Sequence, residues 1–524
     1  MIIKIMLTIL WLMYMFYRTK KSLHMLQQNL YDDDYRYIKW IKNNFDKIML
    51  SFELSQVFLI FFILYVKKGI IIEILFGIIY LILLIRSFGI SYKEVIKKPL
   101  VITKRIKRLL TTILLIYIIS IYFLCYKLNI NYYLILTTMA YLQYFIVLIA
   151  VKINIPVEKC VYLSFKNKAI KKLKNMTNLK VIGITGSYGK TSSKNILNEI
   201  LNVKYNSITT PRNLNTPYGL IMTINNNLDK FDDIFIAEMG AYKVGEIKEL
   251  CDLVHPKYGI LTRIGKAHLE LFGSVENIQK AKFELIESLP SDGVAVLNAD
   301  DPMQVSYKLK NKVKTIWIAI DNDADFRATN IKVSNTGTTF DLIIKGNKEK
   351  YKFETKLLGY ANIYNILASI ALGYEFGVNV KQLQSAVKSV NQIEHRLELK
   401  RNGDLTYIDD AYNSNPDGSK MALDVLKMMP GKKIIVTPGM IELGSIEDLE
   451  NTKFGEHIAD VCDEVILIGK EQTKAIYKGL KNKKYSEDKI HILEDVIDAF
   501  SLINKLKGKE TYVLLENDLP DACK

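Results

Sequence analysis

The sequence predicts an N-terminal bundle of α-helical transmembrane spans followed by soluble α/β domains. Three observations carry that expectation. Five long apolar runs crowd the first 151 of 524 residues, charge and hydrophobe alternate from residue 152 onward, and that second part opens with a β-branched run leading into a glycine-rich Thr-Gly-Ser-Tyr-Gly-Lys-Thr segment. The length allows three to four domains at roughly 150 residues each. Hydrophobic residues make up 49% overall, an ordinary average that hides the split. Composition excludes a wholly soluble protein and a wholly disordered chain. The five cysteines (Cys125, Cys160, Cys251, Cys462 and Cys523) are odd in number and form no CxxC pair, so neither a disulfide framework nor a structural zinc site is expected.

The apolar runs are 2–16, 50–66, 69–85, 109–128 and 132–151. A span needs roughly 17–25 mostly apolar residues, and five such runs in so short a stretch exceed what a soluble core can bury. Basic residues gather after the first run (Arg18 to Lys47), between the third and fourth (Arg86 to Arg108) and after the fifth (Lys152 to Lys174). The positive-inside rule then places the N-terminus outside, about five spans across the cell membrane, and everything beyond 152 in the cytoplasm. The first run has one early base, Lys4, and no small-x-small site after Phe16, so it reads as a retained span. The net charge of +16 is explained by juxtamembrane lysine beside anionic lipid, which makes membrane lipids a partner and leaves nucleic acid unneeded. Charges are not expected inside the spans, which weighs against a transporter. Residues 1–151 form the transmembrane region and 152–178 a basic linker.

Residues 180–184 read as a buried parallel strand and 192–201 as a helix. Between them lie Gly186, Ser187, Tyr188, Gly189, Lys190 and Thr191. Strand, glycine-rich turn, Lys-Thr and helix is the setting of a phosphate loop, in which backbone N–H groups at a helix N-terminus wrap phosphate. Lys190 would reach the β and γ phosphates of ATP, and the Thr191 hydroxyl would hold Mg²⁺. Strict P-loop spacing needs glycine at 184, where this chain has Ile184, so the match is to the shorter TGxxGK[TS] form. Glu238 ends the apolar strand 234–237, where a parallel sheet presents ligands; a helix-capping carboxylate is the blander reading.

Seven segments carry a resemblance: ITGSYGKTSSKNIL, TPRNLNTPYGL, IAEMGAYKVGEI, LTRIGKAHLELFGSVENIQKAKFELI, GYANIYNILASIAL, IDDAYNSNP and MIELG. In this order they resemble the Mur ligases, most nearly the branch that adds D-alanyl-D-alanine to UDP-N-acetylmuramoyl-tripeptide. The resemblance implies a P-loop central ATP-binding domain over 179–393, a Rossmann-like C-terminal domain over 394–524, and amide synthesis through an acyl phosphate with ATP and Mg²⁺. It implies Glu238 and His268 on Mg²⁺, and Lys282 rather than Lys280 as a lysine that is carbamylated to bridge a second metal. Asn362 and Asn365 would lie near adenine, with Ala361 where the family has histidine. Arg396 and Asp410 would contact ATP from the C-terminal domain, next to Asp409. Asn213, Asn215 and Thr216 match the loop that touches the peptidyl substrate, and Tyr412, Asn413 and Asn415 a second substrate loop. An Asx-rich turn is the plainer reading of the last group.

Two departures from that branch stand out. Its members end in a Lys-Gly-Ser-type segment, where this chain has Glu516-Asn517-Asp518-Leu519-Pro520. They also carry an N-terminal domain for the UDP moiety, where this chain has apolar runs. Three functions follow: a membrane-anchored ligase of peptidoglycan precursors; a ligase of the same type on another small-molecule, lipid-linked or polyglutamate-like acceptor; and a membrane regulator or transporter that only binds nucleotide.

Overall fold

The structure is a computed structural model that describes residues 2–66, 69–93, 98–334, 336–411, 415–441 and 443–518. They fall into two compact units, one within 2–163 and the other Ser164–Asp518.

The first unit is helical. Ile2–Gln28, Ile70–Tyr92 and Lys104–Lys127 are long and apolar enough to cross a membrane, and Tyr132–Tyr141 with Gln143–Lys174 would make a fourth span if the pair, bent by 79°, counts as one. Among the described residues, the five apolar runs thus give three or four candidate spans. The second run yields only the 13-residue helix Leu54–Val66, preceded by a π-helical turn at Asp46–Leu50. The fifth breaks at Leu142. Thr137 and Thr138 donate to the carbonyls of Tyr133 and Leu134 at 2.7 and 2.8 Å, a back-bonding that bends helices. The expected linker 152–178 is also mostly helix, since Gln143–Lys174 runs through it.

The expectation of uncharged spans fails at Arg18, which lies in the long first helix yet is 6% exposed. Its guanidinium donates to Glu53 (3.5 Å), to the Ile48 carbonyl (3.1 Å) and to the Tyr141 carbonyl (3.2 Å), a backbone acceptor freed at the bend. Buried charge is tolerated where partners surround it.

The second unit holds two sheets. In the first, β1 (Lys180–Thr185), β2 (Ser207–Thr209), β3 (Ile234–Glu238), β4 (Tyr258–Leu261), β5 (Val294–Asn298), β6 (Lys314–Ala319), β7 (Phe326–Ser334), β8 (Gly337–Ile344) and β9 (Lys350–Thr355) lie in the order 2-3-1-4-5-6-7-8-9. Pairing is parallel through β7 and antiparallel over β7–β8–β9. The second sheet comprises β10 (Glu398–Asn402), β11 (Leu405–Asp410), β12 (Lys432–Thr437), β13 (Glu464–Ile468), β14 (Ile490–Leu493) and β15 (Thr511–Glu516), ordered 10-11-15-12-13-14 and parallel except at β10–β11. Both are the α/β architecture the motifs predicted.

Apolar, β-branched strands explain why these sheets are covered by helices. Ile182, Ile184, Ile234, Ile236 and Ile260 pack with Ile196, Leu197, Ile363 and Ile366 from the helices Lys190–Leu201 and Gly359–Glu375 in one core. The chain leaves β1 toward β2 and β3 on one side and later crosses to β4 on the other, so a crevice opens beyond the carboxyl ends of β1, β3 and β4. Thr185, Glu238 and Leu261 stand at those ends.

Candidate active site

The turn after β1 is built to admit an anion. Gly186 has φ +151° and Gly189 φ +78°; a Cβ on Gly186 would lie 1.9 Å from Thr262 Oγ1, and one on Gly189 2.6 Å from Asn365 Oδ1. Only glycine fits either place. The Ser187 backbone N–H donates to the Arg263 carbonyl at 2.8 Å and the Ser187 hydroxyl to the Gly265 carbonyl at 3.0 Å, so the loop after β4 braces the turn. Lys190 folds its ammonium back onto the carbonyls of Gly186 (2.9 Å) and Ser187 (3.2 Å).

Glu238, 1% exposed at the end of β3, is the hub of the crevice. Its Oε2 accepts from the Thr191 hydroxyl at 3.1 Å and pairs with Lys194 Nζ at 3.0 Å, while its Oε1 accepts from Asn215 Nδ2 at 3.0 Å. Burial pushes this carboxyl up, but Lys194, Lys190 and Asn215 outweigh it and hold it below its ordinary value.

A cleft beside it is lined by Gly186, Ser187, Lys190, Asn215, Gly240, Ala241, Tyr242, Ala267, His268 and Lys282. His268 has φ +56° at the head of the short helix Leu269–Phe272, and its ring meets Tyr242 edge-on at 4.8 Å between centroids. Lys282, on the helix Val275–Glu287, is 3% exposed, whereas Lys280 is exposed. Burial, reinforced by the Lys190 charge, pushes the Lys282 ammonium down to about 7. Burial likewise lowers Lys190 to about 8, with Glu238 opposing and Arg396 adding to the fall. Buried cations that crowd one another raise the affinity of a site for a polyanion.

The structure gathers most of the predicted residues here, though some of their side chains are used locally. Thr216 caps the helix Pro217–Asn226, accepting from Gly219 N at 3.3 Å, and Asn213 is exposed beside it. The Asn362 amide donates to the Leu358 carbonyl of its own helix at 2.9 Å. Asn365 Oδ1 accepts from Ser193 at 2.9 Å, against the phosphate loop. Asp410 ends β11 and accepts from Leu397 N at 3.2 Å; burial lifts it to about 6 while the Arg396 charge pulls it down. Asn415 is the N-cap of the helix Pro416–Met428, accepting from Gly418 N at 2.7 Å. Tyr412 and Asn413 lie outside the described residues.

Sequence reasoning missed Lys194 and Tyr242. Lys194 is 1% exposed in a helix whose neighbours Ser193, Ile196 and Leu197 are buried. A lysine on the apolar face, one turn past Lys190, was the available signal.

The donors fit the implied groups. Thr191 Oγ1 and Glu238 Oε2, 3.1 Å apart, are hard oxygen donors at about the separation of adjacent ligands on an octahedral Mg²⁺ with bonds near 2.1 Å. Glycines that no side chain could replace leave backbone room for a phosphate. Among the described residues, the acidic and imidazole group close enough to share an ion is instead His395, Glu398 and Asp409. Lys400 pairs with Asp409 at 2.7 Å and Glu398 at 3.0 Å and supplies the positive charge there.

Comparison with known proteins agrees with this geometry. The Mur ligase middle domain matches residues 184–373, and the Mur ligase glutamate ligase domain matches 395–516. The chain is 31% identical over 342 residues to the UDP-N-acetylmuramoyl-tripeptide--D-alanyl-D-alanine ligase of Bacillus subtilis (strain 168), spanning 64% of this chain and 72% of that protein. It is 33% identical over 298 residues to the ligase of the same name from Escherichia coli (strain K12), spanning 56% and 65%. Among solved structures, MurF ligase from Thermotoga maritima in complex with ADP superposes with a TM-score of 0.62 at 26% identity, covering 68% of this chain and 80% of that one. MurF from Acinetobacter baumannii shares the fold at a TM-score of 0.61 and 24% identity, covering 68% and 77%. The chain belongs to the Mur ligase family, beside the MurF ligases.

Proposed function

We propose that this chain joins D-alanyl-D-alanine to a muramoyl-tripeptide carboxylate at the expense of ATP, from a position anchored to the membrane. The convergence of Lys190, Asn215, His268 and Lys282 on one cleft, with Glu238 bonded to Asn215 beside it, carries the reading. The first step brings a carboxylate against the γ-phosphate of ATP, two anions that repel. Lys190, lowered by burial yet still charged at pH 7, offsets that repulsion with a preorganised charge. The turn Gly186–Gly189 holds the phosphates through backbone N–H groups other than that of Ser187, Asn362 and Asn365 bound the adenosine side, and Arg396 and Asp410 meet the nucleotide from the C-terminal domain. Thr191, Glu238 and His268 would hold Mg²⁺, which supplies charge neutralisation on the phosphates when bound. Lys282, close to neutral, is chemically suited to take up CO₂ as a carbamate. Asn213, Asn215 and Thr216 position the acyl substrate.

The apolar helices and the basic residues flanking them hold the ligase unit at the cytoplasmic face of the membrane. The same features favour a second reading of the acceptor, a lipid-linked muramoyl peptide or another membrane-borne carboxylate, and the acidic Glu516–Asp518 end favours a different amine. Purified full-length protein is assayed for ADP release with UDP-linked or lipid-linked muramoyl-tripeptide and D-alanyl-D-alanine, with Lys190→Ala as the inactive control. Release without any acyl acceptor, or equal release by the control, would refute the ligase.

A further inference from the structure

Lys190 and Lys194 stand one turn apart on a single helix and serve opposite sides of the crevice. Lys190 faces the phosphate loop. Lys194 turns the other way and uses its ammonium on three acceptors: Glu238 Oε2 at 3.0 Å, the Thr210 carbonyl at 2.8 Å and the Arg212 carbonyl at 2.5 Å. An ammonium has three protons to donate, so this set saturates it. Both side chains of the ion pair are almost inaccessible, at 2% and 1%.

The two carbonyls belong to the loop 209–216. Arg212 reaches the required backbone direction at φ +47°, a conformation that non-glycine residues seldom adopt. The far end of the same loop returns to Glu238 independently, since Asn215 Nδ2 bonds Oε1 and the Asn215 carbonyl accepts from Gly240 N at 2.8 Å. The loop therefore grips one carboxylate from both ends, directly through Asn215 and indirectly through Lys194. Asn215 lines the cleft. A merely structural ion pair would need neither the two loop carbonyls nor a carboxylate shared with Thr191.

We infer that Lys194 is a positioning residue that fixes the acyl-substrate loop 209–216 against Glu238, so that the acyl acceptor and the nucleotide are registered on one carboxylate. The inference rests on the ligase reading and deepens it. It predicts a split: losing Lys194 loosens the acyl side while the phosphate loop, held by Thr262, Gly265 and Arg263, stays as it is.

The test uses full-length protein with whichever acyl acceptor the wild type turns over, and wild type without turnover refutes the ligase reading itself. In Lys194→Met, the KM for the acyl substrate should rise at least tenfold. The affinity for ATP, measured by direct binding, should change less than twofold. Lys194→Gln keeps a donor for a loop carbonyl and should recover part of the loss; it also reads the same split if the methionine variant is not recovered folded. Asn215→Ala should raise the same KM, and the double variant Lys194→Met/Asn215→Ala should cost far less than the product of the single effects, because both act through one loop. Multiplicative effects, a parallel loss of ATP affinity, or an unchanged acyl KM in both Lys194 variants would each overturn the assignment while leaving the ligase intact.

Discussion

Lys282 shows how a single buried amine trades stability for chemistry. Its folded-state pKa of about 7 lies below that of the unfolded chain, so the unfolded state binds the extra proton and stability rises with pH between the two values. The penalty is of order 4 kcal/mol at pH 7 and about 2 kcal/mol at pH 9. Lys282→Met should therefore raise the urea midpoint of residues 164–518 in CO₂-depleted buffer, by more at pH 7 than at pH 9; an equal gain at both would show that the lysine is not held neutral. The companion Lys282→Ala should lose most activity and recover part of it with acetate or formate, short carboxylates that stand where a carbamate would. Rescue failing here but succeeding in Lys280→Ala would transfer the role to the neighbour. The sequence offered both lysines and only spacing from His268 separated them, whereas burial separates them sharply. Lys194 stood out only as a lysine on an apolar helix face, because its partners come from elsewhere in the chain, Thr210 and Arg212 from the loop after β2 and Glu238 from the end of β3.

At the scale of elements, local chemistry was readable where local sterics decide. The turn 186–189 is the clearest instance, since glycine is demanded twice by backbone direction and by neighbours within van der Waals distance. Gly186→Ala should cost at least about 3 kcal/mol in unfolding free energy and abolish nucleotide binding, because the added methyl meets Thr262. An alanine variant with intact stability and ATP affinity would refute that packing. The strand ending in Glu238 was equally legible, as an apolar run closed by one carboxylate. Helix ends were less so. Asn415 and Thr216 carry motif positions yet act as N-caps, and a cap and a ligand use the same side-chain oxygen. The break at Leu142 escaped the hydropathy pattern because threonine hydroxyls bend a helix without lowering its apolar content.

On the scale of the whole molecule, the division at residues 163 and 164 makes a sharp expectation. Residues 164–518 hold both sheets, each with its own core of fully buried side chains. Expressed alone, this unit should be soluble and bind ATP with Mg²⁺ within about twofold of the full chain, by calorimetry. It should turn over a lipid-linked acceptor at least tenfold more slowly than the full chain in membranes, if the apolar helices serve to bring acceptor and cleft to one surface. Equal turnover by both forms would reduce those helices to an anchor without a part in substrate choice. A helical unit ahead of an α/β unit was legible from composition, because the long apolar runs crowd before residue 152 and alternating patterns follow it. The number of candidate spans among the described residues was not, because it depends on the shortness of Leu54–Val66 and on the bend at Leu142.

Arg18 also imposes an order in time. Its acceptors at Ile48, Glu53 and Tyr141 follow it by 30, 35 and 123 residues. At about 5–20 residues per second, the last of them leaves the ribosome roughly 6–25 s after the arginine. In a membrane setting the first helix would carry an uncompensated charge until Glu53 is made, about 2–7 s after the arginine, costing about 2.5–3.5 kcal/mol if it sat alone at mid-bilayer. Nascent chains halted in membranes before residue 53 should accordingly leave that helix extractable by alkaline carbonate, and chains long enough to include Glu53 should retain it.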